Sequence, residues 1–235
     1  MNTAVSRILK EVLLVGSRVP TSGDKRVSRE DFAVVLDFMP GGNPLDQHHP
    51  SHKNKPLAQA LGTTYFTLLE FHPKPGVTVA QGEKVCVSFR FRELRDKVGY
   101  VWGEPIRYED LTAVAKSYLP EAIRTVVVDL EKVFVTFFNI AAPVTIKLHS
   151  LELIPGIGKK TMWAILEERK KPFESFRDIQ TRVKVLDPAG LVSERILKEV
   201  RGEEKIYLFL EPPPGIKDAI VLGYLHRIYS MLGYE

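Results

Sequence analysis

The chain has 235 residues, 44% of them hydrophobic, enough for one large or two ordinary domains built around a proper core. Its formal net charge is only +4, so any nucleic-acid surface must be a local patch and not a histone-like excess. The single cysteine, Cys86, excludes an internal disulfide and a cysteine-rich zinc site; no apolar run approaches a membrane span and no signal-peptide cleavage pattern is visible, so a reducing, cytoplasmic setting is expected.

In chain order, Val5, Ile8, Leu9, Val12 and Leu13 recur at a helical period over residues 3–15, and residues 16–30 read as a polar linker. A β-rich block begins at Phe32. Strands are predicted at 32–38, 63–71, 84–91 and 99–102, with turns at Pro40-Gly41-Gly42 and Pro73-Lys74-Pro75-Gly76. Cys86 falls in one of these strands as a small buried hydrophobe. Short strands with turn signals between them predict a small barrel of the oligonucleotide-binding (OB) or S1-like type, and Gly82-Glu83-Lys84-Val85 fits the step into a central strand. Residues 41–56 read as a long exposed loop. Asp46, His48, His49 and His52 there have the look of a small metal cluster, but Pro44 and Pro50 oppose a helix and no cysteine joins them, so the loop is read as flexible and polar, with no metal or cofactor.

From Glu109 the period turns helical. Asp110 precedes Leu111, Val114, Ala115 and Tyr118, and Pro120 is expected to restart a helix that runs toward Asn139. The most specific stretch follows: Leu151-Glu152-Leu153-Ile154-Pro155-Gly156-Ile157-Gly158-Lys159-Lys160. An apolar run, two glycines around one apolar residue, and a lysine pair opening a new helix form the pattern of a helix-hairpin-helix. Glycine permits the tight turn, and the bare helix N-terminus offers unpaired N–H groups to a phosphate. Gly156, Ile157, Gly158, Lys159 and Lys160 are therefore candidate nucleic-acid contacts; the alternative is a hairpin that only packs helices. Ser175 is a plausible N-cap of the next helix. Val185-Leu186-Asp187-Pro188-Ala189-Gly190 aligns faintly on Leu153 to Gly158, a second copy without the lysine pair, so only the first copy is expected to bind phosphate well. A strand at 206–210 and a final helix at 216–232, with Ile216, Ile220, Leu225 and Ile228 buried, are predicted as an appended tail.

A second candidate face is basic and aromatic. Lys53, Lys55, Arg90, Arg92, Arg95 and Lys97 flank the barrel strands, interleaved with Tyr65, Phe66, Phe89, Phe91, Tyr100 and Trp102. Barrels that bind single strands pair a basic groove with stacking aromatics, although any one of these rings is more simply a core residue. Asp178, downstream of the hairpin, resembles the catalytic aspartate of some DNA glycosylases. Those enzymes need an all-helical body around a flipped base, whereas this N-terminal half reads as β, so Asp178 is assigned to a helix start. No catalytic constellation is found, and the chain is read as non-enzymatic.

The segments Arg107-Tyr108-Glu109-Asp110-Leu111-Thr112, Phe137-Phe138-Asn139, Ala142-Pro143, the 148–160 run and Lys170-Lys171-Pro172-Phe173-Glu174-Ser175-Phe176 together resemble the archaeal domain-of-unknown-function family 655. Ala58-Gln59-Ala60-Leu61-Gly62 and Tyr65-Phe66-Thr67-Leu68-Leu69-Glu70 extend the likeness to about residues 26–210. The resemblance implies an archaeal host, a barrel joined to a helix-hairpin-helix unit, and RNA binding; it implies no catalytic residue. The expectation is thus an α+β chain with a small OB/S1-like β-barrel followed by an all-α helix-hairpin-helix (SAM-like) domain. Its parts are residues 1–30 (helix and linker), 31–108 (barrel), 109–201 (hairpin domain) and 202–235 (strand and appended helix). The expected partner is nucleic acid, RNA more than DNA, with no membrane; the rival is a protein adaptor on the ribosome or RNA polymerase.

Overall fold

Strand β1 (Phe32–Met39) is apolar except at Asp37 because both faces of its first half are covered. Ala33 and Val35 point into a core made by the strands and the segments beside them, including Val27, Val79 and Val87, while Val34 and Leu36 point into a larger one shared with the helices. The computed structural model describes residues 27–46 and 49–234. Within them β1, β2 (Leu57–Gly62), β3 (Leu68–Pro73), β4 (Lys84–Cys86) and β5 (Val98–Val101) form a curled antiparallel half-barrel in the order β4-β1-β2-β3-β5. Helices α1 (Ala113–Asp129), α2 (Glu131–Ile140), α3 (Lys159–Glu168), α4 (Phe176–Val183), α5 (Pro188–Val200) and α6 (Tyr224–Leu232) complete a mixed α/β fold. The helix predicted at 3–15 and most of the linker lie outside the described residues.

Several elements differ from expectation. The second strand is β2, at Leu57–Gly62, and not 63–67. All six of its residues are buried, so no alternation marks it, and Ala58, Gln59 and Ala60 have low β propensity. Residues 63–67 form a turn in which Phe66 has φ 57. Glu30, fully buried, shapes that turn: its carboxylate accepts N–H bonds from Thr64 (2.8 Å), Tyr65 (3.0 Å) and Thr67 (3.1 Å). The strand predicted at 84–91 is β4 and stops at Cys86, because Ser88 Oγ accepts the N–H groups of Arg90 (3.1 Å) and Phe91 (3.0 Å), and so turns the chain out of the ladder. Thr112 caps α1, and the helix continues through Pro120, held by the burial of Leu119, Ala122, Ile123 and Val126.

Burial raises the Glu30 carboxyl from 4.5 to about 6 against the pull of its N–H donors. A raised folded-state value means that protonation favours the folded chain. The contribution is complete below pH 4.5 and is lost as pH rises through about 6, a change of about 2 kcal/mol at ~1.4 kcal/mol per pH unit. Urea unfolding of wild type and Glu30→Gln at pH 4.5 and pH 7 should therefore show the difference between them moving by about that amount in the variant's favour as pH rises. Parallel pH profiles would contradict it.

The tail is not an appendage. β6 (Ile206–Tyr207) pairs in parallel with β7 (Ile220–Val221), and the final helix covers only Tyr224–Leu232. Left-handed Asp218 (φ 63) and Gly223 (φ 64) interrupt the predicted 216–232 helix. Ile216 and Ile220 are consequently exposed, while Leu225 and Ile228 are buried as expected. Leu208, Phe209 and Leu210 join the same core as Val34, Leu36, Leu61 and the buried faces of α1, α2 and α5. Packing is thus continuous across the boundaries drawn at 108 and 201.

Candidate nucleic-acid interface

The turn at 155–158 is anchored from below and open above. A short 3-10 turn at Ser150–Leu153, capped by His149, precedes it. Ile157 is only 4% exposed, and its N–H donates to the Ile154 carbonyl (3.1 Å). It pins the turn to the core, which corrects its assignment as a contact: neither its side chain nor its amide is presented. Gly156 adopts φ 80, which favours glycine, and a Cβ there would press on the Leu191 side chain of α5 at 3.2 Å. Gly158 is the N-cap of α3, in extended backbone, with no side-chain cap. A Cβ at Gly158 would meet nothing within 4 Å. The first bond of the helix runs from Met162 N–H to the Gly158 carbonyl (2.9 Å), which leaves the amides of Lys159, Lys160 and Thr161 without an intrahelical acceptor. Lys159 and Lys160 are exposed, and the first turn holds no acidic residue.

The second turn is built the opposite way. Asp187 caps α5, its carboxylate accepting the Gly190 N–H (3.0 Å). Arg124 of α1 donates to the same carboxylate through two nitrogens, at 2.8 and 3.2 Å, and this pairing holds Asp187 below the usual carboxylate range. The protein's own carboxylate occupies the place an anion would take. Asp187-Pro188 is an N-cap signal legible in the sequence, and an aspartate cap is what excludes an anion from this helix start. Between the two turns, Ser175 caps α4 by accepting the Asp178 N–H (3.1 Å), and Asp178 pairs with Arg182 (3.1 Å), the helix-start role assigned to it.

The basic barrel patch divides into two regions. Lys53 and Lys55 are exposed on the β1–β2 loop. That loop reaches the end of β3, where His72 Nδ1 donates to the Pro56 carbonyl (2.6 Å) and the Lys74 N–H donates to the Lys97 carbonyl (2.8 Å). Lys97 pairs with Glu83. Tyr100, 55% exposed, lies edge-on to Trp102 (5.0 Å), and Trp102 stacks on His49 (3.8 Å). Arg90 instead pairs with Asp31 at the start of β1, and Arg92 is exposed. Arg95 is a correction. It is 8% exposed, and its guanidinium donates to the carbonyls of Ser88 (2.8 Å) and Val87 (2.9 Å), so it braces the chain after β4 and presents no charge. Phe66 is core.

The loop at 41–56 is also unlike its expectation. His48 lies outside the described residues, but Asp46 and His52 are 6% and 0% exposed, so this end of the loop is packed down and not solvated.

Residues 29–211 match the family described as "Protein of unknown function (DUF655)". The chain belongs to this family. It is 40% identical over 190 residues to an uncharacterised protein of Methanocaldococcus jannaschii, covering 80% of this chain and 82% of that one. It is also similar to the crystal structure of a DUF655 protein from Archaeoglobus fulgidus, with 45% identity and a TM-score of 0.65 over 74% of this chain and 96% of the other. Both relatives are archaeal, in keeping with the resemblance drawn from sequence. The family match stops at residue 211, although the tail beyond it fills the shared core. Among the described residues no helix is long and apolar enough to cross a membrane.

Proposed function

We propose that this DUF655 chain is a non-enzymatic RNA-binding protein that grips a backbone phosphate at the N-terminus of α3. In this reading the segment from the 3-10 turn at Ser150–Leu153 through α3 is a helix-hairpin-helix, and α4, the turn before α5 and α5 itself are its second, phosphate-blind copy. The half-barrel is a partly open barrel of the OB type, whose strand order β4-β1-β2-β3-β5 leaves β4 and β5 as unpaired edges. Tyr100, Trp102, Lys53 and Lys55 would hold a single strand near the β1–β2 loop.

The observation that carries the reading is the contrast between two neighbouring helix starts. One is closed by Asp187 and Arg124; the other has a glycine cap, no acid in its first turn and two exposed lysines. An uncovered N-terminus with free amides and positive charge suits phosphate, and it positions a backbone without reading bases. The adaptor reading draws less support, because α6, which would serve it as a docking element, buries Tyr224, Leu225, Ile228 and Tyr229 in the chain's own core.

Replacing Lys159 and Lys160 by alanine should weaken binding of single-stranded RNA uniformly across sequences. It should also flatten the plot of log Kobs against log salt by about 0.7 to 1.4, one single-strand phosphate contact per lysine. Fluorescence anisotropy at several salt concentrations measures this, and an unchanged slope would place the grip elsewhere.

A further inference from the structure

We propose that Asp46, His52 and Glu70 form a structural site for one divalent transition-metal cation of the zinc class, which fastens the β1–β2 loop to strand β3. The three side chains are 6%, 0% and 2% exposed, and one ligand atom from each lies within 4.8 Å of the others. His52 Nδ1 lies 2.9 Å from Asp46 Oδ2 and 3.3 Å from Glu70 Oε2. The second separation equals, and the first falls a few tenths of an ångström short of, the ligand–ligand edges of about 3.3–3.6 Å in a tetrahedral shell with bonds of about 2.0–2.2 Å. One imidazole and two carboxylates with no thiolate suit zinc and its first-row neighbours more than copper(I) or an iron–sulfur cluster.

The ligands are also held from behind, as metal ligands are. Asp46 Oδ1 accepts the His49 N–H (2.9 Å), and Glu70 Oε1 accepts from Gln59 Nε2 (2.9 Å). Gln59 is fixed in turn by the Thr112 N–H (2.8 Å) and the Asp110 carbonyl (3.0 Å). The His52 backbone is tied into the same loop by its N–H to His49 (3.0 Å) and its carbonyl to Asn43 (2.7 Å).

A second observation, independent of the carboxylates, points to something bound here. Three adjacent rings carry a buried nitrogen with no hydrogen-bond partner among the described residues: His52 Nε2, His72 Nε2 and Trp102 Nε1. Their centroids are 4.7 Å (His52 to Trp102), 5.4 Å (His52 to His72) and 6.0 Å (His72 to Trp102) apart. Buried polar atoms are almost always satisfied, so three together mark a place completed by an ion or water. The tautomers agree with a metal at His52 Nδ1. His72 donates from Nδ1 to the Pro56 carbonyl, so its Nε2 is a bare acceptor. Ligation through Nδ1 shifts the His52 proton to Nε2, a donor. One water can bridge that donor and acceptor, and the neutral ring loses no proton in the shift.

The site would explain why a polar loop with three histidines is packed down, and it would hold Lys53 and Lys55 on a fixed segment. It does not depend on RNA binding, and its test uses metal alone. The full chain, stripped with chelator and exchanged into metal-free buffer, is titrated with Zn2+ by calorimetry and with Co2+ by visible absorption. One equivalent should bind, with cobalt d–d bands and no thiolate charge-transfer band, and Zn2+ should displace Co2+ and raise the thermal midpoint. Asp46→Asn and Glu70→Gln should each weaken Zn2+ binding at least tenfold, with circular dichroism checking that each is folded. Should either variant fail to fold, the cobalt spectrum of the unaltered chain still decides the matter. Absence of stoichiometric Zn2+ and Co2+ binding at micromolar metal would overturn the proposal, as would undiminished binding in both folded variants.

Discussion

Replacing Glu199 by alanine is expected to cost about 3–5 kcal/mol, a large part of the stability of a chain this size. Glu199 is fully buried on α5 and accepts N–H bonds from Leu208 (2.7 Å), Phe209 (3.1 Å) and Leu210 (2.8 Å), together with the Arg195 Nε–H (2.8 Å). Burial pushes its pKa up, and the four donors oppose that push. Alanine would leave three backbone donors and the buried Arg195 Nε–H without their acceptor, while the rest of the guanidinium keeps Glu204 and the Leu153 and Ile206 carbonyls. The effect should reach the candidate site, because Arg195 also donates to the Leu153 carbonyl (3.1 Å) at the end of the 3-10 turn before Gly156. Glu199→Gln, which keeps one acceptor oxygen and the shape, should fall between. Urea denaturation reads both, and a loss below about 1 kcal/mol for the alanine variant would show that the carboxylate is not the clasp described.

Gly158→Asp is expected to separate stability from binding. Gly158 has φ −86 and ψ 178, a conformation open to any residue, and space for a side chain. Aspartate there reproduces the cap that Asp187 provides to α5. Its carboxylate would accept the free amides of the first turn of α3 and fill the place proposed for phosphate. The fold should be unchanged or more stable by a few tenths of a kcal/mol, since aspartate is only slightly better than glycine at an N-cap. RNA affinity should fall by about tenfold to a hundredfold, from the lost charge-assisted bonds and the added negative charge. A variant that binds as tightly as wild type would remove the α3 terminus from the account, whereas a reduction in stability would show that the turn was misread.

The parts of the chain that were legible in sequence are those set by local chemistry. β1 announced itself by an apolar run broken only at Asp37, the 155–158 turn by its glycines, and α4 by the Ser175 cap. The parts that were not legible are set by distant partners. β2 has the composition of a helix and is a strand because β1 and β3 flank it. Arg95 looked like surface charge, and only the folded chain brings the Val87 and Ser88 carbonyls to it. His52 and Asp46 looked solvated, and only the arrival of Glu70 from β3 and Trp102 from beyond β5 encloses them. Glu30 and Glu199 would pass for surface acids in any local window, yet each is fully buried and organises a backbone segment, 34–37 residues on for Glu30 and 9–11 residues on for Glu199.

The most direct measurement is an amide NMR titration of the isotope-labelled full chain with a single-stranded RNA of about a dozen nucleotides, a length within the site size of one OB fold. The account predicts that the amides of Gly158, Lys159, Lys160 and Thr161 shift with saturation, while those of Ala189, Gly190 and Leu191 at the closed terminus of α5 stay in place. Saturable RNA binding that leaves the four α3 amides unmoved, or no binding at low salt, would contradict it.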